Sequence, residues 1–525
     1  MILLSATACA LQLSPFAAAT LKPSSQVAVL RVSIGRPLLP HAEFSVMFSG
    51  SQFDPAQNDV RVVFLGPNGY AAERLAFFED GNWQARFNPP RAGAYSARLR
   101  RNGQDTFEPE VLLEVAQKSL RPRGYLRPSA ATENRISDAS GNRIFPVGLD
   151  YGGSWVVAGD MEPPLARARK AGFGWIRVRV APASDPFVSP DPQSAVPGSL
   201  DLPALYRWEW LFVACGETGT RALVGLFDGR SFAEGEAWGR HPWNVANGGF
   251  LSDPAGMFAD PQARSAAKAW IREAVARFGD LPEVGAWELM ADVRATAAVA
   301  SGRWAEVADW HRDLGGYLRH LDPHKRAIVA DAAPERVQSW QELDFGFRSD
   351  LDAADAGESP AKTLAKVGPL RAGQSLSDWM DGAWGELRKN PAGLFLPAAA
   401  MRPGDSRNGI AVSLAAAISN CSLGDRVAAK PREVMSQAPW TASGIGETDW
   451  VIVRATAQSG SQPEPIRLSG LTLRDGPFSL TQWGLDSGET RRDAIRVENF
   501  APSEPISPVG RDVLLCFRRE GAPKR

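Results

Sequence analysis

The chain is short of the residues that carry most metal and redox chemistry, with 4 Cys and 5 His among 525 residues. Cys9, Cys215, Cys421 and Cys516 include no closely spaced pair. That excludes a structural zinc motif and, with Cys9 in a leader, leaves room for one disulfide at most. No metal and no cofactor are expected. A basic surplus is also missing. Lys+Arg 58 against Asp+Glu 59 gives a formal charge of -1, with no long Lys/Arg run. Binding by phosphate neutralisation needs such a surplus, so nucleic acid is not expected as a partner. Beyond the N-terminus no stretch approaches the roughly 18 unbroken apolar residues of a spanning helix, and no membrane span is expected. Tyr is scarce, 6 against Trp 17. Indole rings fill large cores or make flat platforms for sugar rings, and core packing is the commoner use of any one of them.

What is present is ordinary globular composition, 44% hydrophobic and 22% charged, in a chain too long for one compact domain. At about 100–200 residues per domain, three or so are expected. Residues 1–19 are apolar and end in Ala17-Ala18-Ala19 before Lys22-Pro23-Ser24, the pattern of a cleaved signal peptide. A secreted or periplasmic protein is expected. Cys9 follows Ala6-Thr7-Ala8, a poor lipoprotein box, so a lipid anchor there is the weaker alternative. Over residues 20–120, short alternating runs such as Val60-Arg61-Val62-Val63-Phe64 and Trp83-Gln84-Ala85-Arg86-Phe87 are punctuated by Gly66-Pro67-Asn68-Gly69 and Asp80-Gly81-Asn82. Closely spaced strands and turns of this kind imply a β-sandwich.

Residues 121–437 begin with a polar linker or hairpin containing Pro122, Pro128 and Gly141, and then the pattern changes. Apolar runs at Phe145–Leu149, Trp175–Val180, Ala222–Phe227, Val284–Leu289, Ile328–Ala330 and Leu343–Phe347 read as strands. Pro164–Ala171, Leu202–Gly216 and Pro261–Phe278 read as intervening helices. Such alternation implies a parallel β/α fold, and its length favours a (β/α)8 TIM barrel. Residues 438–525 return to β alternation, as in Trp450-Val451-Ile452-Val453-Arg454. The expected fold class is multidomain α/β plus all-β, a barrel flanked by N-terminal and C-terminal β-sandwiches.

Phe48-Ser49-Gly50 with Phe53-Asp54-Pro55, the Gly66–Gly69 turn, Phe77-Phe78-Glu79-Asp80-Gly81 and the segment Trp83–Arg100 resemble the β-sandwich that precedes certain cellulase-like and mannanase-like barrels. Asn244-Val245-Ala246-Asn247-Gly248-Gly249, Phe258-Ala259-Asp260, the helix with Arg272 and Arg277, and Trp287-Glu288-Leu289 resemble the barrels of clan A glycoside hydrolases. Trp483 with Gly484–Arg491 is similar to the accessory β domain that follows such barrels. The resemblance spans nearly the whole chain after the leader and is most specific over Asn244–Leu289. It weakens between Asp331 and Asn390. A polysaccharide or oligosaccharide partner with β linkages is what it implies.

Retaining hydrolysis needs two carboxyl groups about 5–5.5 Å apart, supplied by different strand ends at the C-terminal face of the barrel. In the family the acid/base Glu follows an Asn in a Trp-Glu-Leu-x-Asn-Glu run at the end of the fourth strand. Here the run reads Trp287-Glu288-Leu289-Met290-Ala291-Asp292. The Asn is lost to Ala291, and the Glu is shortened to Asp292. One methylene retracts the carboxyl by about 1 Å, and misplacement on that scale costs on the order of a hundredfold in rate. Asp292 is therefore a degenerate acid/base position. The nucleophile should close the seventh strand, where Lys366-Val367-Gly368-Pro369-Leu370-Arg371-Ala372-Gly373 contains no carboxylate. Arg177 stands where the family's nucleophile-supporting Arg would be.

With Arg177, the expected glycan-binding residues are Asp228, Trp238, Trp243, Asn247, Trp287 and Glu288. The leading expectation is a secreted hydrolase-like protein that binds a β-linked polysaccharide with catalysis impaired. One alternative is an active retaining endo-hydrolase with Asp292 as acid/base and an unrecognised nucleophile such as Glu342 or Glu358. Another is an envelope or assembly scaffold with no sugar ligand. His320 and His324, flanking Asp322-Pro323, read as a solvent-facing turn, and Asp350, Asp352, Asp355 and Glu358 as a solvated acidic loop.

Overall fold

The computed structural model describes residues 39–117, 124–129, 135–155, 160–180, 201–331, 343–349, 363–366, 374–388, 393–401, 405, 407–420, 430–458 and 464–521. The leader, Glu342, Glu358 and the acidic loop all lie outside these residues.

Alternation places Val60, Val62 and Phe64 inward and leaves Arg61 and Val63 half-buried along Val60–Gly66. That strand sits in a five-stranded antiparallel sheet with Tyr70–Leu75, Gly93–Arg101, Gln104–Asp105 and Val111–Val115, facing a second sheet of His41–Phe44, Asn82–Arg86 and Phe77–Glu79. Phe44, Phe64, Trp83, Phe87, Tyr95 and Leu99 fill the space between them. Burial of one such side chain contributes about 1.5–3 kcal/mol.

Eight parallel strands close the central barrel. They are β1 (Val147–Gly152), β2 (Trp175–Arg179), β3 (Arg221–Asp228), β4 (Val284–Ala291), β5 (Ala327–Ala330), β6 (Phe345–Ser349), β7 (Thr363–Lys366) and β8 (Gly393–Pro397). Around them lie α1 (Glu162–Lys170), α2 (Leu202–Thr218), α3 (Pro261–Phe278), α4 (Trp304–Leu321), α5 (Leu376–Arg388) and α6 (Asn408–Asn420). The lumen is packed by Trp175, Leu223, Ala286, Ala327, Val329, Phe345, Phe347, Leu364 and Phe395. Gly148 makes room there, since a Cβ on it would lie 2.4 Å from the Phe395 ring. The hairpin expected before the barrel is present as Arg127–Pro128, Ile136–Ser137 and Arg143–Ile144. Its Leu126 and Ile136 join the lumen residues and seal the N-terminal end of the barrel.

The C-terminal domain is a seven-stranded antiparallel sheet from Lys430–Arg432 to Asp512–Arg519, accompanied by the two-stranded ribbon Met435–Ser436 with Leu468–Ser469. One face, with Ile445, Trp450, Ile452, Trp483 and Leu514, packs on Trp379, Trp384 and Leu387 of α5 and Leu414 of α6. Cys215 is a buried thiol on α2 outside any disulfide, and Cys516 is disulfide-bonded. Among the described residues no helix is long and apolar enough to cross a membrane.

Candidate functional site at the C-terminal mouth of the barrel

A strand's period of two sends Ala286 and Glu288 of β4 into the lumen and turns Trp287 outward toward the helices. Trp287 is buried there, its indole N–H donating to Asp322 Oδ2 at 3.0 Å. Arg177 on β2 has the same parity as Trp175, so its guanidinium enters the lumen opposite Glu288. Nε and Nη2 of Arg177 donate to Glu288 Oε2 and Oε1 at 2.8 and 2.6 Å, a bidentate pair. Nη1 donates to Asp150 Oδ2 at the end of β1 (2.8 Å), and Nη2 also to Asp331 Oδ2 just past β5 (2.9 Å). The Phe347 ring lies 4.6 Å from the Arg177 guanidinium carbon. Arg177 and Glu288 are 1% and 0% exposed. Three carboxylates hold the guanidinium charged despite its burial, which by itself would lower its pKa. The pair is thus internal to the barrel and presents no surface to a ligand, contrary to the binding role expected for both residues and for Trp287.

A second set of charges lies above it. Arg179, two residues beyond Arg177 and on the same face, donates from Nε to Asp228 Oδ2 at 3.0 Å. Its Nη2 lies 3.2 Å from Asp292 Oδ2. Arg230, on the short turn Gly229–Phe232 after β3, closes the ring. Its Nη2 donates to Asp228 Oδ2 at 3.0 Å, and its Nε lies 3.1 Å from Asp292 Oδ2. Asp292 itself has a left-handed backbone, φ 50 and ψ 41, which Asp tolerates better than most residues. Its N–H donates to Asp331 Oδ2 at 3.1 Å. The turns after β3 and β4 touch so closely that a Cβ on Gly229 would lie 2.4 Å from Asp292 O. Burial pushes the Asp228 carboxyl up to about 6; Arg179 opposes that shift and the Asp292 charge adds to it.

The loop after β3 does not offer its indoles as platforms. Trp238 and Trp243 are buried, packed with Phe232, His241 and Phe250. Burial lowers the His241 pKa to about 4, and its Nδ1 accepts from Trp243 N. Asn247 spends its side-chain amide on Gly239 O and His241 O, bracing the loop. His324 also departs from the solvent-facing reading. It is half-buried at the opposite end of the barrel, 2.5 Å from Asp280 Oδ1 and stacked on Tyr125.

The structure thus brings Asp228 and Asp292 together through shared arginines, and places Arg177 and Glu288 beneath them. It adds Asp150, Arg179, Arg230 and Asp331, which sequence reasoning passed over. Asp150 and Asp331 each follow directly on an apolar strand run, Phe145–Leu149 and Ile328–Ala330, and a carboxylate at that position belongs at the C-terminal mouth. Arg179 shares the parity of Arg177. Arg230 carried no signal. Among the described residues no group of three His, Cys, Asp or Glu side chains is arranged to hold a metal.

No family model matches the chain, and no curated protein matches it. Solved structures do. A candidate glycoside hydrolase from Bacteroides vulgatus superposes with TM-score 0.58 at 13% identity, over 92% of this chain and 99% of its own. A glycoside hydrolase family 5 protein from the same organism gives TM-score 0.48 at 11% identity, over 76% and 94%. An endo-beta-1,4-mannanase from Thermotoga petrophila gives 0.41 at 14%, over 67% and 97%. The first of these spans nearly the whole chain. The fold is shared with that first structure, a closed barrel with flanking β domains. At such identity the likeness defines the architecture, and the activity has to be argued from the mouth of the barrel.

Proposed function

We propose that this protein is exported and binds a β-linked polysaccharide at the mouth of its barrel, with hydrolysis through the family's two carboxyl positions lost. The observation that carries the reading is the state of Asp292. Its Oδ2 is engaged by both Arg179 and Arg230, and the whole stretch Thr363–Gly373, which includes β7, contains neither Asp nor Glu. A general acid must deliver a proton to the leaving oxygen and then take one from water. A carboxylate clamped by two guanidiniums is poorly placed for either. Export is supported by the apolar leader and by the cystine at Cys516, which suits an oxidising compartment.

The second reading, an active retaining hydrolase, has one observation in its favour. Asp331 lies beside Asp292, is bonded by Arg177 and is 13% exposed, so it could act as a displaced nucleophile. One experiment separates the two. The mature protein and an Ala291→Asn, Asp292→Glu double variant are incubated with β-glucans, mannans and xylans, and binding is followed in parallel by affinity electrophoresis. The expected result is retardation by at least one β-glycan and no reducing sugar from either protein. Hydrolysis by the wild type that Asp331→Asn abolishes would establish the second reading, and failure to bind any β-glycan would remove the first.

A further inference from the structure

In a hydrolysing barrel the groups presented to the sugar at the mouth are carboxyls. Here the most exposed member of the central charge ring is a cation. Side-chain exposure is 53% for Arg230, against 24% for Asp292, 9% for Arg179 and 8% for Asp228. Arg230 spends Nε on Asp228 and Asp292 and Nη2 on Asp228, while its Nη1 has no partner among the described residues. Two N–H groups on Nη1 and one on Nη2 therefore have no partner among the described residues. The adjacent turn Val293–Ala295, which packs against the Arg230 turn, carries a second exposed arginine, Arg294. Across the mouth, the carboxylates Asp150 and Asp331 are partly exposed.

We infer that the ligand is an acidic β-glycan, one whose sugar rings carry a carboxylate, and that Arg230 is its specificity-determining contact. This rests on the glycan-binding reading above. The argument is one of matching chemistry. A planar guanidinium with donors unspent among the described residues suits a carboxylate bidentately, and such charge-assisted pairs are roughly twice as strong as neutral hydrogen bonds. The ring hydroxyls of the same sugar suit Asp150 and Asp331, which accept hydrogen bonds. A neutral glycan leaves Arg230 facing only hydroxyl groups. The side chain is already held by Asp228 and Asp292, so little rotamer entropy is lost on binding.

The test compares ligands that differ in oxidation at C6 alone. Isothermal titration of the mature protein is run with β-1,4-mannuronate oligomers against β-1,4-mannose oligomers of equal length, and with cello-oligouronates against cello-oligosaccharides. Polyglutamate serves as a sugar-free polyanion. The expected result is at least about tenfold tighter binding of the uronate in one of the two series, a preference that shrinks as salt is raised and disappears in Arg230→Gln. Arg230→Lys, which keeps the charge without the planar fork, should retain part of the preference and serves if the Gln variant fails to fold. Equal affinity for acid and neutral oligomers overturns this inference and leaves the glycan reading standing. Preference unchanged in both Arg230 variants, or polyglutamate bound as tightly as the uronate, also overturns it. No binding of any oligomer, acid or neutral, removes the glycan reading itself.

Discussion

A guanidinium with about 1% of its surface exposed has to replace its lost water with protein acceptors, and Arg177 does so with Glu288, Asp150 and Asp331. Asp228 is in a harder position. It is buried and, although Arg179 and Arg230 both bond it, the Asp292 carboxylate shares the same two cations. Its pKa of about 6 lies above the ordinary 3.8. Between those two values the folded protein holds a proton at Asp228 that the unfolded chain has released. Stability linked to this group is therefore fully present at low pH and is lost as pH rises through 6. The expected outcome concerns the stability of the wild type relative to Asp228→Asn, which cannot ionise. It should fall as the pH of the melting experiment is raised from about 4 to about 6 and level off above that. A relative stability that is flat or rises over this window would show that the carboxylate is already ionised at the lower pH.

At the scale of elements, α3 shows how local chemistry sets a boundary. Asp260 Oδ1 accepts from Gln262 N and Ala263 N at 2.8 and 2.9 Å, and Pro261 begins the helix. Asp260→Ala should cost about 1 kcal/mol in denaturant unfolding, and Asp260→Asn only a few tenths; equal losses from both would assign the effect to charge and not to the cap. Elements of this sort were legible in the sequence. The runs at Trp175–Val180, Ala222–Phe227 and Val284–Leu289 became β2, β3 and β4, and Pro261–Phe278 became α3 with the bounds read for it. The parity of β4 was legible too, since alternation alone turns Trp287 away from Glu288. What stayed hidden was contact across the lumen. Arg177 on β2 meets Glu288 on β4 and Asp331 after β5 because the sheet closes, and sequence spacing holds no trace of that. Trp238 and Trp243 looked like platforms because they lie in a long loop after the third strand, at the C-terminal mouth of the barrel. In the structure that loop folds its own small aromatic core, and the indoles go into it.

At the scale of the whole molecule, the N-terminal sandwich is fastened to the barrel by buried ion pairs as well as by the apolar contacts of Leu39, Leu75 and Phe77. Arg277, near the end of α3, is buried with Nη1 on Glu79 Oε2 at 2.5 Å and Nε on Glu273 Oε1 at 2.6 Å, while Phe77 lies under its guanidinium. Tyr206 of α2 donates to the same Glu79, and Arg86 reaches Glu209. Nearby, Arg272 binds Asp59 and the carbonyls of Val60 and Ala76. Further along the junction Asp280 gathers Arg74, His324 and the backbone N–H of Asn88. Buried ion clusters like these are specific and unforgiving. Replacing both partners by neutral groups can cost little, whereas removing one strands the other's charge in a low-dielectric junction. Arg277→Met should therefore cost about 3–5 kcal/mol and split a single unfolding transition into two, because the sandwich and barrel lose the contact that makes them unfold together. Adding Glu79→Gln should restore part of that loss by removing the stranded carboxylate. Calorimetry of the wild type, Arg277→Met, Glu79→Gln and the double variant reads both effects. A single variant within about 1 kcal/mol of wild type, or a double variant worse than the sum of its parts, would show that apolar packing around Phe77, and not the ion cluster, joins the two domains.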